Sequence, residues 1–297
     1  MEVTILGTSS AVHTPTRSHP AIALRYAGEV MLFDCGESTQ KQLIFAKISP
    51  MKITRIFLTH FHGDHILGLP GLLQSMNFRG REKPLYIYGP KGLNRIMAAI
   101  KLLGFQDFDF PVEVVEIENG KILETEEFIV KAQKVRHNVI AYAYSIEEKK
   151  RPQFLRQKAI DLGVPVGPLF GKLHNGEEVE VDGKVVKPEE VLGKPKKSKK
   201  MVYSGDTRPC EEMVQFANGA DLLIHEATYT LEDNDKAVQN FHSTSADASK
   251  IAGEAKVGKL ILTHFSPRYI NTNDLLAEAR KEFKNSHLAY DLMVINI

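Results

Sequence analysis

Short apolar runs alternate with helix-like stretches along the first half of the chain. Apolar residues recur at helical spacing over Thr39 to Ile48 and Leu93 to Leu103, which predicts two helices. The strand-like runs between and around them are Val3 to Leu6, Ile22 to Tyr26, Val30 to Phe33, Ile53 to Leu58 and Leu85 to Tyr88. Strands that alternate with helices in this way predict an α/β fold in which helices cover sheets.

A predicted hairpin follows these elements, and the alternation of strands and helices resumes after Met201. The runs Phe128 to Val135 and Val139 to Ile146 predict a hairpin that carries His137 at its turn. After Met201 we expect strands in MVYSGD, DLLIHEA and KLILTHF, helices at about Thr244 to Lys256 and Asp274 to Phe283, and a last strand near Leu288 to Ile297.

A seven-residue echo links the two halves. Arg55 to Phe61 and Lys259 to Phe265 both run from a basic residue through an apolar strand to Thr-His-Phe. Each segment places a histidine, His60 or His264, just beyond the carboxyl end of a predicted strand. Because α/β folds bind ligands at that end of their strands, the echo indicates a shared site.

Residues 149–200 interrupt this pattern with a basic insertion. The segment holds 13 Lys or Arg against 7 Asp or Glu, an excess of six positive charges. Its stretch LGVPVGPLFGKL, Leu162 to Leu173, is so rich in glycine and proline that no regular element is expected there. From composition alone, the simplest interpretation is a solvated surface insertion.

Composition narrows the class of protein. The 297 residues are 43% hydrophobic and 25% charged, close to the globular average, which excludes wholesale disorder. No apolar run approaches the ~20 residues of a membrane helix, and MEVTILG lacks a signal-peptide layout. Two cysteines, Cys35 and Cys210, cannot form a disulfide framework. We therefore expect a cytoplasmic protein with no membrane partner, whose net charge of +1 requires a local patch for any nucleic-acid binding.

The segment His60-Phe61-His62-Gly63-Asp64-His65 carries the strongest chemical signal. Imidazole and carboxylate groups are the ligands that Zn²⁺ accepts in open, catalytic sites. His60 and His62 project to one side of an extended segment, and Gly63 lets the chain turn so that Asp64 and His65 approach from another direction. This geometry suits two adjacent ions better than one.

The remaining ligands must come from other strand ends. The candidates are His137, Asp206 and His264. Taken singly, each residue is more typical of a hydrogen-bonded structural histidine or of a turn-forming aspartate. Four further histidines are expected to be structural or exposed: His13, His19, His174 and His287.

The pattern H-x-H-x-D-H followed by distant His, Asp and His resembles the metallo-β-lactamase superfamily. The resemblance implies a four-layer αββα sandwich of two similar halves, with residues 1–297 forming a single domain of this type. It also implies two zinc ions, held by His60, His62 and His137, by Asp64, His65 and His264, and by Asp206 as the bridge between them.

Other motifs resemble a narrower family, the short form of tRNase Z (ribonuclease Z), which removes the 3′ trailer from precursor tRNA. They are HEATY at His225 to Tyr229, HST at His242 to Thr244, DCGESTQ at Asp34 to Gln40, and LGVPVGPLFGKL, which is similar to part of that family's protruding tRNA-binding arm. The similarity runs from Leu6 to Tyr269. It departs at Ser38, where the family has glycine, and at Pro195 to Lys200, which matches the family's basic loop only loosely.

Phosphodiester hydrolysis requires an activated water, charge stabilisation and a proton for the leaving oxygen. Two metal ions about 3.5–4 Å apart supply the first two. His242 is the candidate proton donor, since histidine titrates near neutral pH and this one precedes a predicted helix N-terminus. Glu226 is expected to orient it. By the resemblance, Asp64 both binds the second ion and accepts the proton of the attacking water.

A purely structural role is the alternative for His242 and Glu226. His242 could merely neighbour a helix cap, and His225 with Glu226 could form a buried hydrogen-bonded pair without a chemical role. The direction in which the Glu226 carboxylate points distinguishes the two interpretations.

Recognition of tRNA is expected to occur away from the cut, through phosphates, because structured RNA is read mainly by shape and backbone. The candidate contacts are basic residues of the 149–200 insertion: Lys149, Lys150, Arg151, Arg156, Lys158, Lys196, Lys197, Lys199 and Lys200. The resemblance further implies a homodimer, in which the arm of one subunit grips tRNA for the active site of the other.

The sequence is compatible with two other functions. A two-metal hydrolase of the same fold could act on a small ester, thioester or cyclic phosphodiester, and the insertion would then have no role. A catalytically silent RNA-binding scaffold would leave the seven ligands unexplained. Ligand type does not choose the metal, because such sites also accept Mn²⁺ or Fe in place of Zn²⁺.

Overall fold

The computed structural model describes residues 1–104, 107–150, 152–195 and 197–297. The strands are β1 (Glu2–Gly7), β2 (Ala21–Tyr26), β3 (Glu29–Phe33), β4 (Ile53–Phe57), β5 (Leu85–Gly89), β6 (Val112–Glu116), β7 (Gly120–Glu124), β8 (Phe128–Lys134), β9 (Tyr142–Glu148), β10 (Pro152–Phe154), β11 (Val179–Val181), β12 (Lys184–Val186), β13 (Leu192–Pro195), β14 (Lys200–Tyr203), β15 (Leu222–Glu226), β16 (Leu260–Thr263), β17 (Ser286–Leu288) and β18 (Met293–Asn296). The helices are α1 (Thr39–Phe45), α2 (Gly63–Ile66), α3 (Leu69–Phe78), α4 (Leu93–Gly104), α5 (Arg156–Asp161), α6 (Pro168–His174), α7 (Pro188–Val191), α8 (Glu211–Ala217), α9 (Asn234–Asn240), α10 (Ser245–Glu254) and α11 (Asn273–Glu282). None of these helices is long and apolar enough to cross a lipid bilayer.

Two seven-stranded mixed sheets belong to the larger of two compact units, formed by Met1–Thr125, Ile129–Glu147 and Lys199–Ile297. The first sheet has the order β18-β1-β2-β3-β4-β5-β6 and the second the order β17-β16-β15-β14-β9-β8-β7. Strands β3 to β6 are parallel in the first sheet, and β14 to β17 are parallel in the second. Their carboxyl ends therefore share one edge in each sheet.

Aromatic side chains join the inner faces of the two sheets. Tyr144 of β9 contacts Phe33 and Phe57, with ring centroids 6.0 and 5.5 Å away, and all three side chains are fully buried. The Tyr144 Oη donates a 2.6 Å hydrogen bond to the Leu58 carbonyl. This contact satisfies the hydroxyl in an otherwise apolar layer.

Helices cover the outer faces. Buried side chains of α1, α3 and α4 pack on the first sheet, and those of α8, α10 and α11 pack on the second. The four-layer αββα fold predicted above is therefore confirmed.

The predicted terminal strand near Leu288 to Ile297 corresponds to β18, and it is preceded by β17, a short strand of the other sheet that the sequence pattern did not predict. β17 pairs with β16, whereas β18 pairs with β1. The chain crosses between the sheets at Asp291, whose carboxylate accepts hydrogen bonds from the Thr8 hydroxyl at 2.8 Å and the Ser18 amide at 2.7 Å. These long-range contacts fix a crossover that a run of apolar residues does not reveal.

The second compact unit comprises Glu126–Phe128 and Glu148–Ser198, close to the predicted insertion. It has a small core of its own, formed by the buried residues Ala159, Val164, Leu173, Val179, Val186 and Val191. The segment is thus more than a solvated loop. The expectation that LGVPVGPLFGKL contains no regular element is also wrong, because α6 begins at Pro168. Proline is well suited to the first position of a helix, where its missing N–H costs nothing.

Candidate active site

All seven predicted ligands converge beside the ends of strands in the larger unit. His60 follows β4, Asp206 follows β14, and His264 follows β16. His137 lies between β8 and β9, as the predicted hairpin requires. The short helix α2 begins at Gly63 and turns Asp64 and His65 back toward the same point. The seven side chains form two clusters, and within each cluster the ligand atoms lie within 4.8 Å of one another.

The first cluster contains three histidines and one carboxylate, all within 4.8 Å of one another. His62 Nδ1 lies 3.0 Å from His60 Nε2 and 3.3 Å from His137 Nε2. Asp206 Oδ2 is 3.6 Å from His60 Nε2. Such spacing matches a tetrahedral ligand set around an ion with bonds of about 2.0–2.1 Å.

The second cluster contains Asp64, His65 and His264. His264 Nε2 lies 3.3 Å from His65 Nε2 and 3.4 Å from Asp64 Oδ2. Asp206 completes this set as well, with Oδ1 3.4 Å from His264 Nε2 and Oδ2 3.4 Å from His65 Nε2. The Asp206 carboxylate therefore faces both clusters, as a bridging ligand must.

The pKa shifts of most of these groups favour the protonation states that bind a cation. Burial lowers the pKa values of His60, His62 and His137, which favours the neutral imidazole that binds metal. For Asp64 and Asp206, burial opposes ionisation, but neighbouring histidines outweigh it, and the pKa of each carboxyl falls well below its usual range.

His65 behaves differently because two carboxylates flank it. Burial disfavours its charged form, yet Asp206 and Asp34 raise its pKa well above the ordinary value. In the metal-free protein the ring thus holds a proton that a cation must displace. Metal affinity is therefore expected to weaken as the pH falls.

Hydrogen bonds orient the ligand rings in a repeated arrangement of carboxylate, threonine and histidine. The Thr59 hydroxyl donates to Asp34 at 3.0 Å and accepts from His60 Nδ1 at 2.9 Å. Because Nδ1 is engaged, the Nε2 atom of His60 is directed to the metal position.

The other half of the site repeats this relay. The Thr228 hydroxyl donates to Glu226 Oε2 at 2.6 Å and accepts from His264 Nδ1 at 2.9 Å. His137 is held instead by the Phe241 carbonyl, 2.9 Å from its Nδ1.

Asp34 has a supporting role that sequence reasoning missed. The motif DCGESTQ predicts no such role for Asp34, yet its buried carboxylate also accepts hydrogen bonds from His65 Nδ1 at 2.8 Å and from the Tyr203 hydroxyl at 2.9 Å. The available signal was its position directly after β3, at the same sheet edge as His60.

We expect Asp34→Asn to lower metal affinity by about 10–100-fold, as is usual when a group that orients a ligand is removed. The amide keeps the shape of the carboxylate but can neither carry its charge nor accept equally from every donor around it. Chelator competition on the purified protein measures the change. Asp274→Asn, at an exposed position of α11, is the matched control, and equal affinity in both variants would refute a role for Asp34.

The Glu226 carboxylate points to His242 and not to His225. Its Oε1 lies 2.9 Å from His242 Nδ1 and accepts the Thr207 amide at 2.9 Å, whereas His225 Nδ1 contacts the Glu226 backbone carbonyl. Burial opposes protonation of His242, but Glu226 outweighs it and raises the pKa of His242 to about 9. Engagement of Nδ1 leaves Nε2 as the atom able to deliver a proton.

His242 lies beside the ligand clusters. Its ring centroid is 5.3 Å from those of His137 and His264. The backbone around it is fixed by Arg208, whose Nη1 donates to the His242 carbonyl at 2.8 Å. Glu226 therefore favours the charged form of an imidazole that neighbours both ligand clusters.

The predicted RNA-binding residues have varied surroundings. Arg156 and Lys158 are exposed on α5, Lys149 and Lys197 are also exposed, and Lys150 pairs with Glu148 at 3.0 Å. Arg151 and Lys196 lie outside the described residues.

Lys199 and Lys200 make contacts within the larger unit. Lys199 Nζ is 3.1 Å from Asp221 Oδ1, and Lys200 Nζ donates to the Phe216 carbonyl at 2.6 Å. Their ammonium groups are therefore partly occupied before any RNA binds.

Comparison with known proteins covers the whole chain. A family model described as anti-Pycsar protein Apyc1 matches residues 1–150, and one described as a β-lactamase superfamily domain matches residues 186–265. Ribonuclease Z of Methanothermobacter thermautotrophicus is 52% identical over 297 residues, covering 100% of this chain and 97% of the relative. The crystal structure of human tRNase Z, short form, is 31% identical with a TM-score of 0.73, covering 100% and 99% of the two chains.

Proposed function

The chain belongs to the ribonuclease Z family, and on that premise we propose that it is a zinc-dependent endoribonuclease that removes the 3′ trailer from precursor tRNA. The single observation that supports this most is the pair of ligand clusters sharing Asp206, with the Glu226–His242 pair beside them. Metal-assisted phosphodiester hydrolysis needs this combination of ligands and proton donor.

The donor set fits two zinc ions. His60, His62 and His137 would hold one ion and Asp64, His65 and His264 the other, with Asp206 between them. Bound ions supply an activated water and neutralise charge on the phosphate. Zinc itself is part of the proposal, because nitrogen and carboxylate sites also take Mn²⁺ or Fe.

The side chains divide the proton transfers between them. Asp64 accepts the proton of the water whose oxygen forms the new bond to phosphorus. His242 Nε2 donates a proton to the leaving oxygen as its bond to phosphorus breaks. Glu226 holds His242 in position and stabilises its charged form, the role that an aspartate has beside a catalytic histidine.

The second unit supports a large substrate over a small one. Its core fixes α5, which presents the exposed side chains of Arg156 and Lys158. Basic groups on a folded support are suited to backbone recognition of structured RNA. The ribonuclease Z of Methanothermobacter thermautotrophicus also matches the whole chain, including this unit, whereas the anti-Pycsar protein model ends at residue 150.

The decisive experiment reverses these two charges. We expect Arg156→Glu/Lys158→Glu to raise KM for an end-labelled precursor tRNA about tenfold or more. In the wild type these basic side chains would attract RNA phosphates and displace counterions, whereas glutamate would repel the phosphates. Hydrolysis of a chromogenic phosphodiester should be unchanged. If five basic side chains contact single-strand-like phosphates, the log–log salt slope of binding is about −3.5.

The matched control is Lys281→Glu/Lys284→Glu, which changes the same charge at exposed positions in the larger unit. It should behave like the wild type. Equal KM values for the two double variants, or a salt-independent KM, would argue against a tRNA grip by this unit. No cleavage of precursor tRNA beside efficient hydrolysis of the small substrate would favour the small-molecule alternative.

We also propose a homodimer, supported by exposed apolar side chains on two helices of the outer layer. Helices α1 and α3 lie side by side, with the Ser75 hydroxyl donating to Gln40 Oε1 at 2.7 Å. Ile44, Phe45 and Phe78 are 63%, 56% and 93% exposed there. Large apolar side chains that are exposed on adjoining helices are candidates for an interface.

Phe78→Asp should shift the protein from dimer to monomer in light scattering at micromolar concentration, because a buried, unpaired carboxylate destabilises an apolar interface. Ile270→Asp, at a residue that is 98% exposed, is the control and should leave the mass unchanged. A dimer that persists in Phe78→Asp would place the interface elsewhere.

A cytoplasmic location is the last part of the proposal. Cys35 is buried and Cys210 half-buried, and both are free thiols. Unpaired thiols are typical of a reducing compartment.

A further inference from the structure

A separate group of metal-ligating side chains lies outside the seven residues described above. His13 and His19 belong to the loop between β1 and β2, and Glu37 follows β3. One ligand atom from each residue lies within 4.8 Å of the others. His13 Nε2 is 3.5 Å from Glu37 Oε2, and the two imidazole rings stack with centroids 3.7 Å apart.

The two histidines have unsatisfied ring nitrogens. His19 is only 7% exposed, yet neither of its ring nitrogens makes a hydrogen bond with the described residues, and His13 Nε2 is buried without one as well. The Ala11 carbonyl is near enough to favour a charged His19 ring but lacks hydrogen-bond geometry. Buried polar atoms normally have a partner, so these nitrogens require an explanation.

Close packing holds the pair in place. The Ser9 amide donates to the Ser18 carbonyl at 2.9 Å, which closes the loop that carries both histidines. Gly36 lies against His19, and a Cβ at Gly36 would be 2.6 Å from the His19 Cβ and 2.1 Å from the Asp64 carbonyl. The position of His19 is therefore set by the backbone and not by a polar contact of its ring.

We propose that His13, His19 and Glu37 bind a third divalent cation of the zinc class, at a site that keeps an open coordination position. Two histidines and one glutamate are a known ligand set of open zinc sites. The Glu37 side chain is 62% exposed, so an ion can enter from solvent. Ligand atoms in a tetrahedral site are about 3.4 Å apart, and the 3.5 Å separation of His13 Nε2 and Glu37 Oε2 matches this spacing.

The third ion would lie near the Asp64 side of the active site. The Ala11 amide, from the same loop, donates to Asp64 Oδ2 at 2.7 Å. The open coordination position of this ion could bind an anionic group at the edge of the active site. The binding of the ion itself does not depend on the identity of the substrate.

Counting bound metal tests the proposal. Metal-free wild type, His13→Gln and His19→Asn are titrated with Co²⁺, with bound ions counted by mass spectrometry of the desalted protein and their geometry followed by visible absorption. We expect each variant to bind one equivalent fewer than the wild type, with loss of the matching absorption. Because the readout is a difference, it is independent of occupancy of the main centre and of nuclease activity.

The half-exposed His287 provides the matched control, and His287→Gln should bind as many ions as the wild type. His13→Gln changes a half-buried side chain, so it remains informative if His19→Asn fails to fold. Equal counts for the wild type and His13→Gln would overturn the site. Loss of one equivalent in His287→Gln as well would assign the extra ion to unspecific histidine binding and would also overturn it.

Discussion

Asp64→Ala should abolish cleavage of precursor tRNA, with kcat/KM falling by about 10⁴-fold or more. The carboxylate contributes to the second ligand cluster, 3.4 Å from His264 Nε2, and in the proposed reaction it also accepts the proton of the attacking water. General base catalysis alone accounts for about 10²–10⁴-fold. Loss of a metal ligand adds to that, since the weakened ion no longer activates water.

Single-turnover cleavage of an end-labelled precursor tRNA measures this effect, and metal analysis of the same samples separates its two causes. Asp64→Asn serves as a second variant, because the amide can remain near the metal but cannot accept a proton. We expect Asp64→Asn to retain more metal than Asp64→Ala and to be similarly inactive. Cleavage near the wild-type rate in Asp64→Asn would remove the proposed proton acceptor.

The second large effect concerns the proton donor. His242→Ala should lower kcat by about 10²–10⁴-fold while the metal content stays at the wild-type value, because none of the seven ligands is altered. A proton donor works only in its charged form. Activity should therefore persist at neutral pH and decline as the pH rises through the pKa of His242, which Glu226 raises to about 9 against the effect of burial.

Glu226→Gln tests the cause of that pKa. Without the carboxylate, burial is the dominant influence on His242, so its pKa falls and the decline in kcat should begin at a lower pH than in the wild type. Bound cations repel the imidazolium in both proteins, and the comparison between them isolates the contribution of Glu226. A basic limb at the same pH in both proteins would contradict the assignment of His242 as the donor.

Much of the central fold followed from local patterns. The strand that ends before His60 and the strand that ends before His264 were visible as apolar runs, and their carboxyl ends do lie at the ligand clusters. These predictions succeeded because a strand buried between a helix layer and a second sheet must be apolar over several consecutive residues. Assignment of ligands to individual ions depended on the family resemblance.

The remaining features depend on contacts between distant parts of the chain. Asp34 supports His65 only because β3 and α2 are brought together by folding. Helix α6 is stabilised by a small core whose members are spread over the whole insertion. The ion pair between Lys199 and Asp221 likewise shows that a lysine in the basic run before β14 has a partner within the protein. No residue spacing in the sequence encodes such partners.

The Glu226–Thr228–His264 relay couples the ligand His264 to the proposed proton donor. Glu226 uses one oxygen to hold the proton donor and the other, through the Thr228 hydroxyl, to hold His264. In the proposed reaction, a cation bound at His264 would withdraw electron density from the ring and make it a stronger hydrogen-bond donor to Thr228, which would leave less negative charge on the Glu226 carboxylate for His242. His242 would then be a stronger acid with the metal bound than without it, so metal binding would activate the proton donor as well as the water.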